Sequence, residues 1–337
     1  MAWLRTTTQK TAVLTGLLAG MVFCFGASVS LGTYSIAFHE VVQAFIHFDP
    51  GLTEHILVIH TRLPRAVTAM LVGGSLGVSG VLTQALTRNP LASPSILGIN
   101  SGAVFFAVLA SSFAGNLPAE GVLWAAFAGA ALSAVCVYVL GSVGRDGLTP
   151  VKIVLAGSAI TALFSSFTQG ILVLSESGIR NTLSWLAGGI AGRDMKQQMM
   201  VIPYMAAGML LALLLSVPVN ILSSGDDVAK GLGQRTLLVK IIMGVCIILL
   251  AGSSVAAAGS IGFVGLVVPH LSRNLVGQDH RWIIPYSAVL GAALLLSADV
   301  LARFIVMPSE APVGVMTALI GAPFFIYIAR KGGKGRR

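Results

Sequence analysis

Charge is scarce in this 337-residue chain: Asp, Glu, Lys and Arg together make up 10% of it, against about 25% in an ordinary soluble domain. A water-soluble fold of this length could not cover its surface with so few charges. With 55% hydrophobic residues and a mean hydropathy of +0.89, the composition suits a bilayer. Polar stretches are short as well, none exceeding about thirty residues, which leaves no room for a separate soluble domain. A glycine-rich phosphate loop ending in Gly-Lys-Ser/Thr is missing, so energy from ATP would have to come from another subunit. Ionisable groups are almost absent from the apolar segments, where a proton or sodium relay would place them; a sodium site built from backbone carbonyls stays open. The three cysteines, Cys24, Cys136 and Cys246, sit inside apolar segments without metal-ligand spacing and read as packing residues. The six histidines (His39, His47, His55, His60, His270 and His280) fall in loops or at segment ends, and the 8, 8 and 5 spacing of the first four fits no common metal site. Neither an enzyme nor a cofactor is called for. The pI near 9.9 comes from basic residues spread over many loops rather than from a dense patch, so nucleic acid is excluded as a partner.

What the chain does have is apolar length. A transmembrane helix needs roughly 20 mainly apolar residues for a core of about 30 Å. Uncharged runs of that order, broken by glycine and proline, predict an all-α integral membrane protein with about ten transmembrane helices, at 12–31, 66–86, 94–112, 120–142, 152–174, 197–217, 237–257, 261–274, 283–303 and 311–329. The eighth is expected to be a short returning span. Ten spans could divide into two inverted halves of five. Between 32 and 65, Val41, Val42, Phe45 and Ile46 share a helical stripe, predicting a short interfacial helix.

Cytoplasmic loops hold the excess of Lys and Arg. With the N-terminus inside, the inner side collects fifteen basic residues, among them Arg5, Arg88, Arg145, Lys230, Arg235, Arg273, Arg281 and Arg330. The outer side collects six: Arg62, Arg65, Arg180, Arg193, Lys196 and Arg303. Both termini are therefore expected in the cytoplasm, with the first apolar segment retained as a span rather than cleaved as a signal peptide.

Several motifs stand out. Arg62-Leu63-Pro64-Arg65, at the outer mouth, puts two guanidinium groups on one side of a helix start, where they could clamp carboxylates or serve as interfacial anchors; both readings are open. Asp299 and Arg303 are placed to pair along the ninth span. The inner turn 84–99 contains Asn89-Pro90 and Ser93-Pro94, each resembling an N-cap followed by proline. Gly225-Asp226-Asp227-Val228-Ala229-Lys230-Gly231-Leu232-Gly233 has acids in a first helical turn and a small Val228/Leu232 stripe. It predicts a short surface helix within 220–236, one that a peripheral motor could grip. Gly259 to Arg273 forms the short returning span, and Glu310-Ala311-Pro312-Val313-Gly314 leads into the last.

Together these motifs, in order from about residue 55 to 329, resemble the FecCD-type permease family of binding-protein-dependent ABC importers for ferric siderophores, haem and cobalamin. The resemblance implies a cobalamin-permease-like, type II ABC importer fold in the inner membrane of a bacterium. Its implied partners are a second permease subunit, identical or related, two ATP-binding subunits inside, a substrate-binding protein outside, and membrane lipid. It assigns Arg62, Arg65 and Arg303 to docking of the binding protein. Gly225, Asp226, Ala229, Leu232 and Gly233 are assigned to ATPase coupling, and Asn89 and Leu91 to an inner gate. A second gate position is occupied here by Thr149-Pro150-Val151, which departs from the family pattern and is not carried over. The rival reading is an ion-coupled secondary transporter of a small solute.

Overall fold

The computed structural model describes residues 3–32, 34–113, 117–144, 149–174, 187–192, 194–307 and 309–334; Arg145, Arg180 and Arg193 lie outside them. Among the described residues every regular element is helical. In chain order these are α1 (Thr7–Ser30), α2 (Phe38–Ile46), α3 (Thr53–Thr87), a 3₁₀ turn (Pro94–Leu97), α4 (Ile99–Phe113), α5 (Ala119–Ser142), α6 (Pro150–Leu174), α7 (Met195–Leu214), α8 (Ser216–Ser223), α9 (Asp226–Gly231), α10 (Thr236–Ala258), α11 (Val264–Val276), α12 (His280–Phe304) and α13 (Val313–Lys334).

A helix lies over each of the ten expected segments. Seven are long and apolar enough to cross a bilayer. The apolar stretches of α4 and α13 are shorter, and α11 has 13 residues. Side chains on the outer helices face outward uncovered, as lipid contact requires: Phe23 is 77% exposed, Val173 84% and Leu214 67%.

Three elements add to these expectations. The helix over the second segment, 66–86, begins at Thr53, where a π-turn at Val58–Arg62 carries it through polar residues. The short helix α2 exists, but its packed side is Val41 and Ala44, while Val42, Phe45 and Ile46 turn outward. Asn89 does not cap a helix: its Oδ1 accepts the Leu91 N–H at 2.9 Å, closing a turn. Ser93 does stand at the N-cap of the 3₁₀ turn with Pro94 following, as expected, but its side chain makes no capping bond and its hydroxyl lies 2.6 Å from that of Ser95.

Helix α3 is the axis of the molecule. Its Gly73 and Gly80 let neighbouring backbones approach to distances that a side chain would forbid. A Cβ at Gly73 would fall 2.3 Å from the Gly291 carbonyl of α12, and one at Gly80 would fall 2.0 Å from the Gly265 carbonyl of α11. In lipid, where apolar surface gains little by leaving its surroundings, such small-residue contacts hold helices together.

The chain's N-terminal tail reaches the α11–α12 turn, where the Trp3 and Leu4 amides donate to Asn274 and Leu275. The same end gathers α8, whose Asn220 donates to Asp279 at 2.7 Å, and α9, which meets the turn after α3. These segments therefore share one end of the bundle. Arg62, Arg65, Arg303 and Glu310 cluster elsewhere, at the opposite end of α3.

Candidate functional site

Three places are candidates for a functional role. The first is an arginine corner where α1 ends and α3 starts. Asp299 of α12 is completely buried. Its Oδ1 accepts from Arg65 Nε at 2.7 Å, and its Oδ2 pairs with Arg303 one helical turn on. Arg65 also pairs through Nη1 with Glu310, whose side chain is 32% exposed. Arg303 Nη1 donates to the Ser28 and Leu31 carbonyls, both at 2.6 Å, while Arg62 donates to the Val29, Ser30 and Tyr34 carbonyls. The last carbonyls of α1, which no helix can satisfy internally, are thus capped by two arginines from other segments. The sequence places Arg62, Arg65 and Arg303 in one group, and the structure brings them together. The carboxylates that Arg65 and Arg303 clamp belong to this chain, Arg62 is held by carbonyls, and all three arginines are buried, at 7%, 6% and 2% exposure.

The second place is a cavity of about 340 Å³ between α4, α6 and the start of the α11 segment. Asn100, Ser101, Thr161, Ser165, Thr168, Gln169 and Ser260 line it, and among the described residues no ionisable one does. Asn100 Nδ2 donates to Ser260 Oγ at 3.2 Å across it. Thr168 donates to the Phe164 carbonyl at 2.8 Å; a hydroxyl bonded back to its own helix tolerates an apolar setting and still offers lone pairs outward. On α6, Ser158, Thr161, Ser165 and Gln169 recur at helical spacing and leave this face polar. The stripe carries no charge, so it does not stand out in the sequence; the period of its uncharged polar residues is the signal that marks it.

The third place is the turn after α3 and its neighbour α9. Helix α3 ends in a Schellman motif, with Asn89 N donating to the Gln84 carbonyl and Arg88 N to that of Ala85. The left-handed residue in that motif is Arg88, at φ +49°, where a non-glycine residue costs on the order of 1–3 kcal/mol. Helix α9 ends in the same motif but with glycine in that position: Gly233 has φ +79°, Gln234 N donates to Ala229 and Gly233 N to Lys230. Gly225, at φ +120°, opens α9. Ala229 is buried, while Val228 and Leu232 are 51% and 69% exposed, giving the apolar outer stripe that the sequence predicts.

Asp226 of α9 joins the two motifs. Arg88 Nη2 lies 2.9 Å from its Oδ1, a close charge contact rather than an aligned hydrogen bond, and Lys240 Nζ donates to its Oδ2 at 3.0 Å. Burial alone would raise the Asp226 pKa. The hydrogen bond and charge of Lys240, with the charges of Arg88 and Lys230, outweigh that and hold it below the ordinary carboxylate range. Asn89 is part-buried on this turn and Leu91 is 36% exposed.

Comparison with known proteins agrees with this architecture. The family model described as the FecCD transport family matches residues 20–331. A Bacillus subtilis protein named as a probable siderophore transport system permease protein, YfiZ, is 49% identical over 97% of this chain and 98% of its own. The iron(3+)-hydroxamate import system permease protein FhuB of the same organism is 45% identical over 95% of this chain and 84% of its own. The ferric enterobactin transport system permease protein FepD of Escherichia coli is 40% identical over 95% of both chains. Among solved structures, a metal-chelate type ABC transporter in an inward-facing conformation superposes with a TM-score of 0.83, at 30% identity over 95% of this chain and 99% of its own. Helices, motifs and matches converge: this chain is an integral membrane protein that belongs to the FecCD transport family.

Proposed function

We propose that the chain is the permease subunit of a bacterial ABC importer, and that two copies, or this chain and a related one, form the path by which a ferric siderophore enters the cytoplasm. The observation that carries the reading is the uncharged polar cavity beside α6. At about 340 Å³ it is near the lower end of small-molecule pockets, which span roughly 300–1,000 Å³. A facing second copy would double it. Hydroxyls and amides without fixed charge give a bulky, oxygen-rich chelate weak hydrogen bonds and no ion pair to trap it.

In this mechanism the selection and the energy both come from outside the chain. A binding protein delivers the chelate at the arginine corner. Since Arg62, Arg65 and Arg303 are committed internally, docking runs by exchange: an incoming carboxylate takes the place of Glu310, the part-exposed partner of Arg65. On the cytoplasmic side, two ATP-binding subunits grip α9 through Val228 and Leu232. Their closure shifts the turn carrying Asn89 and Leu91, and the chelate leaves between the two copies. The termini lie in the cytoplasm, in keeping with the excess of basic residues on that side.

Reconstitution tests this. Purified alone in lipid vesicles, the chain should accumulate no ferric chelate under any ion gradient. With its ATPase and binding protein it should do so only with ATP. Uptake that persists without ATPase and collapses with an uncoupler would instead favour an ion-coupled carrier.

A further inference from the structure

The contact between Arg88 and Asp226 has no part in the cavity or in docking, and the geometry around it is specific. The turn 88–98 is fixed on its membrane side by backbone approaches and one hydroxyl. A Cβ at Gly157 of α6 would fall 1.7 Å from the Ile96 carbonyl, one at Gly265 would fall 2.9 Å from Pro94 Cδ, and Ser133 of α5 donates to the Gly98 carbonyl at 2.7 Å. At the other end of the same Schellman motif, Gln84 accepts from Arg273 and faces the Gly265 carbonyl at 3.4 Å. Towards α9, the tie that reaches this turn is the side chain of Arg88. Glycine would hold the left-handed position without strain, as Gly233 does for α9, yet an arginine stands there, and its guanidinium spans the gap to Asp226.

We propose that Arg88 is a positioning residue that transmits the movement of α9 to the turn carrying Asn89 and Leu91, with Asp226 as the shared anchor and Lys240 fixing that anchor to α10. The inference rests on the reading that α9 is the element an ATPase subunit grips. A part-exposed ion pair suits the task, because it can re-form over a shift of an ångström or two, whereas the interlocked backbone at Gly157 and Gly265 moves as one piece with its helices. Energetic coupling needs such a physical link between elements that move.

The experiment uses the complete importer, permease with its ATPase and binding protein, in lipid vesicles. Cys24, Cys136 and Cys246 are replaced by alanine so that labels go only where placed. One introduced cysteine, L232C, reports cross-linking to the ATPase subunit; another, L91C, carries a spin label on the turn. In the otherwise unaltered chain, cross-linking at 232 and an ATP-dependent spectral change at 91 are both expected. Arg88→Gly relieves the backbone and removes the guanidinium. It should keep cross-linking and ATP hydrolysis within about twofold and lose most of the change at 91. Arg88→Lys, which keeps the charge on a shorter reach, should retain part of it. Combining Arg88→Glu with Asp226→Arg should restore more of it than either change alone. A full response at 91 in Arg88→Gly overturns the proposal. Failure to cross-link at 232 in the unaltered chain overturns the α9 reading itself, so the two failures are distinguishable.

Discussion

At the arginine corner, Asp299 is fully buried between Arg65 and Arg303, which are 8% and 2% exposed; at the turn after α3, Asp226 holds Arg88 and Lys240 while 34% of its own side chain and 45% of that of Arg88 remain in solvent. Each is one aspartate between two basic side chains, and the surroundings set them apart. In the corner the three arginines are buried, Arg65 held by carboxylates, Arg62 by carbonyls at the end of α1 and Arg303 by both, so the group ties α1, α3 and α12 together. Around Asp226 the side chains are only part-buried, although Oδ1 itself is covered, so the group is less completely enclosed than the corner. A buried joint suits holding, and a part-exposed one suits the movement proposed for α9.

Single substitutions should show the difference most sharply. Asp299→Ala leaves the buried Arg303 without a counter-charge and Arg65 with Glu310 alone. It should cost about 3–5 kcal/mol, the range for breaking a buried pair by removing one partner, measured as loss of resistance to unfolding in detergent or as failure to accumulate in the membrane. Asp226→Ala, at a part-exposed site, should cost less than about 1 kcal/mol and yet impair transport. Equal stability losses at the two sites would refute the contrast between them.

Much of this was legible in the chain itself. The ten apolar segments were visible because lipid demands uninterrupted apolar length, and the pairing of Asp299 with Arg303 because four residues make one helical turn. Arg65 with Asp299 was not, since 234 residues separate them and nothing local records that α3 and α12 run side by side. The start of α3 at Thr53 was hidden for a different reason: His55, His60 and Arg62 are polar, and only the fold shows His55 and Arg62 to be buried there. The uncharged polar stripe on α6 had a clear period but no charge to draw attention. Arg88 could not be recognised as left-handed, because sequence rules expect glycine in that position of the motif.

Salt provides a gentler discriminator. Raising ionic strength from about 0.1 M to 1 M shortens the Debye length from about 10 Å to about 3 Å. The Arg88–Asp226 interaction, measured by a double-mutant cycle, should fall by more than half, while the Arg65–Asp299 interaction should hardly change, since solvent ions do not reach it. A corner as salt-sensitive as the turn would mean that its burial is lost in the membrane.

The smallest effect concerns Glu310, and there the sign matters more than the size. If Glu310 only stabilised the corner, Glu310→Gln would loosen Arg65 and weaken docking of the binding protein. If docking proceeds by exchange, Glu310 is an internal competitor, and the same substitution should strengthen docking. Asp299 would still hold Arg65 Nε, so the guanidinium would stay in place with Nη1 released to an incoming carboxylate. A part-exposed ion pair contributes roughly 0.2–1 kcal/mol, so affinity should rise about 1.5- to 5-fold, measured by titrating the substrate-loaded binding protein against the permease in lipid nanodiscs. Weaker docking would make Glu310 a support rather than a competitor, and would return the corner to a purely structural role.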